Sequence, residues 1–288
     1  MKNKAFSLIE LSVVILIIGI LVAGVTQSSR LVKKMRLQTA QNLTQSSPVT
    51  SIKDLTAWYE TTSEKSFIDN EEQDQSEITV WYDINPFSNI KNDATPPAVA
   101  NRPKFMENAI NGSLPSVKLD GIDDYMRSNT VEIVGPQFTY FVVAKRKAFV
   151  IYSSVFTTLS PSATFDNTST LHLRGFFEVN ASSMSAHRNG VGSGVTHPGN
   201  DILYIAASVF DGTNNYVYLN GTASGPTATS GPFNINSLII GCPWQAGAPS
   251  NCWNGEIAEL IFFSRSLKND ERKSVEQYLS KKWSIKIS

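Results

Sequence analysis

The sequence predicts a long N-terminal α-helix, an all-β antiparallel domain behind it, and one short helix at the C-terminal end. An uncharged apolar run from Leu11 to Val25 predicts the first helix. After Pro48, short β-rich runs alternate with Gly, Asn, Asp and Pro, which is typical of antiparallel sheets. A helical spacing of apolar residues returns close to the C-terminus, after Asn269.

The composition fits a sizeable globular core. Of the 288 residues, 41% are apolar, and 25 Lys and Arg balance 25 Asp and Glu. A net charge of zero argues against a general nucleic-acid-binding protein. The charges are unevenly distributed, because residues 1–36 contain six Lys or Arg and one Glu. A basic and apolar N-terminal part before an acidic remainder points to a membrane or an assembly surface.

The apolar run has the length of a membrane span. Residues 6–25 would form about 30 Å of helix, which matches the hydrocarbon core of a bilayer. A cleaved secretory signal peptide and a plain membrane anchor both fit the run itself. Neither explains Glu10, because a carboxylate one turn into a membrane helix costs about 3 kcal/mol. Glu10 is therefore predicted to be a functional group with a cationic partner.

The segment KAFSLIELSVVILIIGILVAG resembles the processing and methylation segment of type IV prepilins and type II secretion pseudopilins. The resemblance implies that a prepilin peptidase cuts between Ala5 and Phe6, and that an N-methyltransferase methylates the new amino group. It also implies that Glu10, as the fifth mature residue, meets the α-amino group of a neighbouring subunit. Ala5 departs from the pattern, since the family usually has Gly before the cut.

The motif also sets the predicted orientation. It implies a single pass through the inner membrane, with the C-terminal domain periplasmic or extracellular. The bases at 30–36 outnumber those in the leader, which runs against the positive-inside tendency.

The first helix is predicted to continue beyond the membrane. Leu31, Met35 and Leu43 contribute to a partial apolar stripe, and Ser46-Ser47-Pro48 ends it. The expected organisation is a leader peptide at 1–5, a transmembrane and stalk helix at 6–46, and a β-domain at 47–288.

Several runs after Pro48 have the composition of strands: 138–146, 202–210, 216–221, 237–241 and 256–263. The Asn220-Gly221 pair is a strong hairpin-turn signal. In the strand before it, Val217 and Leu219 should face one side and the two tyrosines the other. Many short strands with little helix predict a sandwich or a barrel.

The C-terminal helix is predicted from its cap and its apolar face. Asn269 is expected to cap the helix, and the acids that follow suit its positive N-terminal end. Val275, Tyr278 and Leu279 line the predicted buried face.

Three segments, 101–126, 209–221 and 254–283, resemble the laminin G-like, concanavalin A-like family of bacterial surface proteins. Upstream, LTAWYE and ITVWYDINPFSNIKNDAT fit the opening pattern of that family. The resemblance implies a two-sheet jelly-roll sandwich closed by the C-terminal helix. This agrees with the strands predicted from the residues themselves.

Cys242 and Cys252 are the only cysteines, and they flank a turn-rich loop. A disulfide is predicted because the domain is expected outside the cytoplasm, where disulfides persist. Two unpaired thiols are the alternative. A zinc site is not predicted, because two Cys without a nearby His fall short of four ligands.

No metal or other cofactor is predicted. The acidic stretch FIDNEEQDQSEI at 67–78 is interpreted as a solvated loop. Its acids are of the type that binds calcium, but they lack the spacing of an EF-hand. Asp120, Asp123 and Asp124 are interpreted first as turn residues and only second as calcium ligands.

Catalysis is not predicted either, although concanavalin A-like folds include glycoside hydrolases. Retaining hydrolysis needs two carboxylates about 5–5.5 Å apart. Glu256 and Glu259 are expected on opposite faces of their strand. The three histidines fit no triad or metal spacing. His187 and His197 lie in a Gly- and Ser-rich stretch, which is interpreted as an exposed loop.

Trp244 and Trp253 are a weak prediction of a glycan site, since aromatic rings stack on sugars and loops carry recognition. The alternative is that both rings pack the loop against the sandwich. The predicted function is a non-enzymatic, minor pilin-like subunit of a type IV pilus or type II secretion pseudopilus that displays a lectin-like sandwich. The alternative function is a membrane-anchored, carbohydrate- or protein-binding adhesin outside any filament. Other pilin or pseudopilin subunits are the expected partners, and nucleic acid is not.

Overall fold

The computed structural model describes residues 8–128, 131–159, 173–188, 191–229, 231–245 and 248–288. Its first element is helix α1, Leu8–Gln45, which is followed by a short 3-10 helix at Pro48–Ser51. The apolar part of α1 has a mean hydropathy of 2.8 over 18 residues, and it is long enough to cross a membrane. The predicted long helix is therefore confirmed, and it ends just before Pro48, which cannot continue a regular helix.

The strands are β1 (Leu55–Glu60), β2 (Lys104–Ile110), β3 (Leu114–Asp120), β4 (Met126–Ser128), β5 (Ile133–Gly135), β6 (Phe138–Ala148), β7 (Ser154–Leu159), β8 (Leu173–Asn180), β9 (Ser183–Arg188), β10 (Val191–Thr196), β11 (Leu203–Phe210), β12 (Asn214–Leu219), β13 (Thr222–Ala228), β14 (Phe233–Ile235), β15 (Ser237–Ile240), β16 (Trp244–Gln245), β17 (Ala248–Pro249) and β18 (Asn254–Phe263). Helix α2, Asn269–Trp283, completes the chain.

Two antiparallel sheets form the sandwich. The helix-side sheet has the order β13-β12-β11-β6-β18-β3-β2, with β1 paired to the second half of β18. The outer sheet has the order β10-β9-β8-β7-β15-β4. Both helices pack on the face of the helix-side sheet that points away from the outer sheet. We call the sandwich together with α2 the head, which lies at the C-terminal end of α1. The predicted combination of long helix, β-sandwich and C-terminal helix is confirmed.

Alternation along β6 shows how the sequence builds two core layers. Phe138, Tyr140 and Val142 point between the sheets, while Phe141 and Val143 point to the helices. The inner layer is rich in aromatic rings: the centroid of Tyr140 lies 4.8 Å from that of Phe156. Strand β6 is therefore apolar on both faces, which is the pattern of a strand buried on both sides.

The Asn220-Gly221 turn joins β12 to β13 as predicted. Its two residues have φ of 48° and 83°, and Leu219 pairs with Thr222 across the turn. Two positive φ angles are required by a type I′ turn, which Asn-Gly adopts at low cost. Val217 is buried in the inner layer, which confirms the predicted facing of β12.

The N-terminal end of α2 corrects one prediction. Lys268, not Asn269, occupies the cap position, and the side chain of Asn269 accepts a hydrogen bond from Arg272 at 2.7 Å. The exposed backbone N–H of Lys268 donates instead to Glu271 at 2.8 Å. Glu271 reaches it because the third helical residue points back over the first turn. Arg265 also donates to Glu271 at 2.6 Å, so a carboxylate fixes this helix end.

We predict that Glu271→Gln lowers the free energy of unfolding by about 1 kcal/mol at pH 7. The side chain is 28% exposed, so solvent screens the ion pair with Arg265. Hydrogen bonds from Arg265 lower the pKa of Glu271 to about 2. The stabilisation is therefore complete above the unfolded pKa of about 4.5 and disappears as the pH falls through about 2. Urea unfolding at pH 7 and pH 3 measures the difference.

Asp270→Asn is the matched control, because Asp270 is an exposed acid in the same helical turn. An equal loss for both variants would contradict the specific role of Glu271.

Candidate functional site

Glu10 lies in the first turn of α1, on the part of the helix that has the length and composition of a membrane span. Its neighbours are exposed and apolar, with Leu8 at 85% and Leu11 at 55%. The predicted cleavage residues Ala5 and Phe6 lie outside the described residues. The site can therefore present one acid within the bilayer to a positively charged partner.

The last turns of α1 are docked on the head. Ala40 is 2% exposed, and Gln41 donates through Nε2 to the carbonyl of Thr62 at 3.0 Å. Arg36 donates to the Ser113 hydroxyl at 3.3 Å. The last turns of the helix thus pack one face against the head, with Ala40 and Thr44 buried.

A buried ion cluster lies beneath this junction, formed by Glu60 of β1, Glu259 of β18 and Lys282 of α2. The Lys282 ammonium lies 2.7 Å from Glu60 and 3.0 Å from Glu259, and all three side chains are completely buried. Two carboxylates share one ammonium here, so each acid depends on Lys282 for charge compensation.

Neighbouring side chains complete the hydrogen bonding of Glu259. Trp58 and Trp283 each donate an indole N–H to it at 2.8 Å. The Tyr278 hydroxyl also donates at 2.8 Å, and it lies 3.4 Å from the Thr44 hydroxyl of α1. Burial raises the pKa of Glu259, while Lys282 opposes the shift. The cluster therefore connects α1, two strands and α2 through one set of polar contacts.

A β-bulge overturns the expected facing of Glu256 and Glu259. Ile257 pairs with Ala144 and Glu259 pairs with Val143, so Ala258 is an extra residue in β18. One extra residue reverses the alternation, and the two glutamates face the same side. Each is 4% exposed or less, and Glu256 is paired with Lys145 at 2.7 Å. These two acids are engaged in separate ion pairs inside the head.

A second buried network lies between the sheets at one end of the sandwich. Arg146 donates to Glu178 at 2.8 Å, and the Trp253 indole donates to Glu178 at 3.4 Å. The side chain of His197 is fully buried, with Nε2 3.5 Å from Glu178. Burial lowers the pKa of His197 to about 4. The sequence predicts His187 and His197 in an exposed loop. His187 lies instead in strand β9 and His197 is buried, so both expectations are wrong.

Trp253 is completely buried in the inner core, so its ring has no exposed face for a sugar. This position agrees with the alternative prediction, in which the ring packs against the sandwich instead of binding a glycan. Trp244 lies in the short strand β16, and its side chain is outside the described part of the structure. The weak glycan prediction for this loop therefore finds no support from Trp253.

Cys242 and Cys252 form a disulfide, as predicted. Both are buried, and they pack against Tyr125 and Ile239 on the far face of the outer sheet. The bridge closes the loop that contains β16 and β17, so it fixes a loop against the sheet.

Replacing both cysteines by Ala is expected to lower the free energy of unfolding by about 3 kcal/mol. The two residues are 10 apart in sequence, and the chain-entropy model gives about this value for so short a loop. Thermal unfolding of wild type and variant measures it. Reducing agent should destabilise the wild type alone, and equal stability of the two proteins would contradict the prediction.

Asp120, Asp123 and Asp124 form an acidic cluster. One carboxylate oxygen from each residue lies within 4.8 Å of the other two. Asp120 already accepts hydrogen bonds from the backbone N–H groups of Ile122 and Asp123, at 2.8 and 3.3 Å. Burial and the charge of Asp120 raise the pKa of Asp124 to about 7. Asp120 organises this turn, as its first interpretation predicted.

The geometry defines a class of protein: a helix suited to anchoring in a membrane, with an acid in its first turn, which carries a β-sandwich head. Residues 1–26 match the family model described as the prokaryotic N-terminal methylation motif. The prepilin-type character of the N-terminal segment is thereby confirmed. No curated protein sequence matches the chain.

Solved structures resemble the head. Trypanosoma rangeli sialidase in complex with sialic acid matches with a TM-score of 0.53 and 15% identity over 80% of this chain. The match covers only 33% of the sialidase chain. Domain 4 of an extracellular arabinanase from Geobacillus stearothermophilus, in complex with arabinotriose, matches with a TM-score of 0.50 and 14% identity, covering 77% of this chain and 97% of that domain. At these identities the likeness establishes the sandwich fold alone.

Proposed function

We propose that the chain is a minor, non-enzymatic, pilin-like subunit of a type IV pilus or a type II secretion pseudopilus. The observation that carries the proposal is Glu10, which lies within the matched methylation motif and in the first turn of a membrane-length helix. Removal of residues 1–5 would make Phe6 the mature N-terminus and place Glu10 fifth.

Charge pairing inside the membrane supplies the assembly mechanism. The amino group of Phe6 in one subunit would pair with Glu10 in its neighbour. Each charge then relieves the desolvation cost of the other, which is high in lipid. The exposed apolar surface of α1 would pack against the helices of other subunits.

The size of the head supports a minor subunit. Helix α1 has 38 residues, or about 57 Å, and the head covers only its last turns. A sandwich of two multi-stranded sheets at one end of a thin helix limits lateral packing of identical copies. A few copies at a filament tip would meet no such limit.

We predict that the mature protein begins at Phe6 and carries one N-methyl group. Cleavage after Ala5 removes the two leader lysines and leaves the apolar Phe6 at the start of the chain. Mass analysis of protein extracted from the membrane tests both modifications. Ala5→Gly, which restores the residue usual in the family, should be cleaved at least as completely. An intact Met1 in the membrane-extracted protein would contradict the processing.

A membrane-anchored adhesin is the second candidate, favoured by the sandwich fold shared with an arabinanase domain solved with arabinotriose. A glycan array would test it with a fragment that starts at Arg30, because this fragment keeps the docked turns of α1. Binding would support a lectin-like head, and its absence would leave a structural one. Hydrolysis of a glycan would overturn the non-enzymatic assignment.

A further inference from the structure

A groove of about 480 Å³ separates α1 from the head just beyond the apolar part of the helix. This volume falls in the range of small-molecule sites, about 300–1,000 Å³. Arg30, Lys33 and Lys34 line it from the helix. Glu72 and Glu107 line it from the head. Three bases and two acids therefore share one groove.

The position of the groove along α1 places it at the membrane surface. Thr26 is the first polar residue after the apolar run, and Arg30 lies about 6 Å beyond it along the helix axis. The headgroup layer on each side of a bilayer is about 5–8 Å thick. Arg30 therefore lies at headgroup level, and Lys33 and Lys34 lie one helical turn farther out.

The other end of the groove is closed. Gln41, which also lines the groove, donates a hydrogen bond to the carbonyl of Thr62 at 3.0 Å. This contact joins helix and head about three turns beyond Arg30. The groove is thus bounded away from the membrane, and its basic end lies nearest the bilayer.

The described bases and acids of the groove are not joined in ion pairs. In the part of the chain that the structure describes, none of its three bases forms an ion pair with either of its acids. Glu72 is half-buried, and its pKa is raised by burial and by the nearby acids Asp69 and Glu64. A cation placed beside Glu72 would relieve both effects.

We propose that this groove binds the headgroup of a phospholipid that carries a primary ammonium group, such as phosphatidylethanolamine. The phosphate would lie against Arg30, Lys33 and Lys34, and the ammonium against Glu72 and Glu107. The site requires membrane insertion of α1 but not assembly into a filament.

The two acids decide between lipid classes. An anionic headgroup without an ammonium would satisfy the bases but leave Glu72 and Glu107 facing additional negative charge. A choline headgroup has no N–H to donate to a carboxylate, whereas a primary ammonium has three. The aromatic residue of the groove, Phe105, is 4% exposed, so little of its ring is available to attract a quaternary ammonium.

Native mass spectrometry of the full chain in detergent tests the proposal with three lipids of identical acyl chains. Phosphatidylethanolamine, phosphatidylcholine and phosphatidylglycerol are added in equal amounts. The ethanolamine lipid is expected to be retained about tenfold more than either of the others. Only this lipid gains a hydrogen bond between its ammonium and a carboxylate of the groove, and one charged hydrogen bond is worth about this factor. Equal retention of the three lipids, or a preference for phosphatidylcholine or phosphatidylglycerol, would overturn the proposal.

Charge-removing variants separate the two halves of the site. Glu72→Gln combined with Glu107→Gln should abolish the preference for ethanolamine over choline. Lys33→Gln combined with Lys34→Gln should weaken retention of all three lipids. A preference that survives the first pair, or retention unchanged by the second, would refute the assignment.

The controls are Glu132→Gln and Lys286→Gln, which neutralise exposed charges away from the groove. Both should bind lipid as the wild type does. Tryptophan fluorescence of every variant checks that the head stays folded. Since this assay does not depend on filaments, the lipid site and the proposed assembly role can fail independently.

Discussion

Replacing Glu10 by Ala will lower incorporation of the protein into filaments at least about tenfold. The proposed pair between Glu10 and the amino group of a neighbouring Phe6 lies in a low-dielectric environment. Removing one partner of such a pair costs about 3–5 kcal/mol, because the other charge stays desolvated. Each 1.4 kcal/mol changes an equilibrium constant about tenfold. The ratio of protein in sheared filaments to protein in membranes measures the effect.

Two controls make this result specific. Ser12→Ala changes a polar residue in the same part of α1, where the hydroxyl donates to the carbonyl of Ile9, so incorporation should stay normal. Mass analysis must show that Glu10→Ala is still cleaved after Ala5, since failed processing would also block assembly. Normal incorporation of a cleaved Glu10→Ala protein would disprove the assembly role.

Lys282→Met is expected to lower the free energy of unfolding of the head by about 3–5 kcal/mol. Methionine keeps much of the length of the side chain but leaves Glu60 and Glu259 without their shared ammonium. Two buried carboxylates without a counterion must then be protonated or hydrated. Denaturant unfolding followed by tryptophan fluorescence measures the loss, because all five tryptophans lie in the head and none in α1.

The matched control is Lys281→Met, the exposed lysine one position earlier in α2. It should change stability by no more than about 0.5 kcal/mol. Adding Glu60→Gln to Lys282→Met removes one of the two uncompensated charges and should restore part of the loss. Equal effects of the two lysine variants would show that the buried ion cluster contributes nothing specific.

Local patterns predicted much of the fold. Strand-like composition predicted β6, composition and alternation predicted β12, the Asn-Gly pair predicted the hairpin turn, and helical spacing predicted α2 with Tyr278 inside. Lys282 lies one turn after Tyr278 on the same helix face, so helical spacing predicts that it is buried as well. Its charge argued for solvent instead, because a lysine is rarely buried unless it is paired.

The partners of Lys282 could not be predicted in the same way. Glu259 reaches the helix side only because Ala258 bulges against β6. A bulge depends on pairing between strands that are far apart in sequence, so the residues of β18 alone do not predict it. The pattern of β18 alone therefore placed Glu259 on the wrong face relative to Glu256.

The network around Glu178 escaped prediction for a similar reason. Arg146, Glu178 and His197 come from separate parts of the chain, and Arg146 also donates to Asn200 at 2.7 Å. Each residue alone fits an exposed strand end or loop. Only the packing of two sheets brings them together inside, where unpaired charges would be costly.

The ion pair between Glu60 and Lys282 also bears on how the protein responds to pulling. These residues are 222 positions apart in sequence, one near the beginning of the head and one near its end. A tensile load that enters through α1 would therefore reach the last helix directly, as well as the first strand. Peeling β1 away from β18 would require this cross-link to break at the same time. In the proposed subunit, this contact would share mechanical force between the first strand and the last helix of the head.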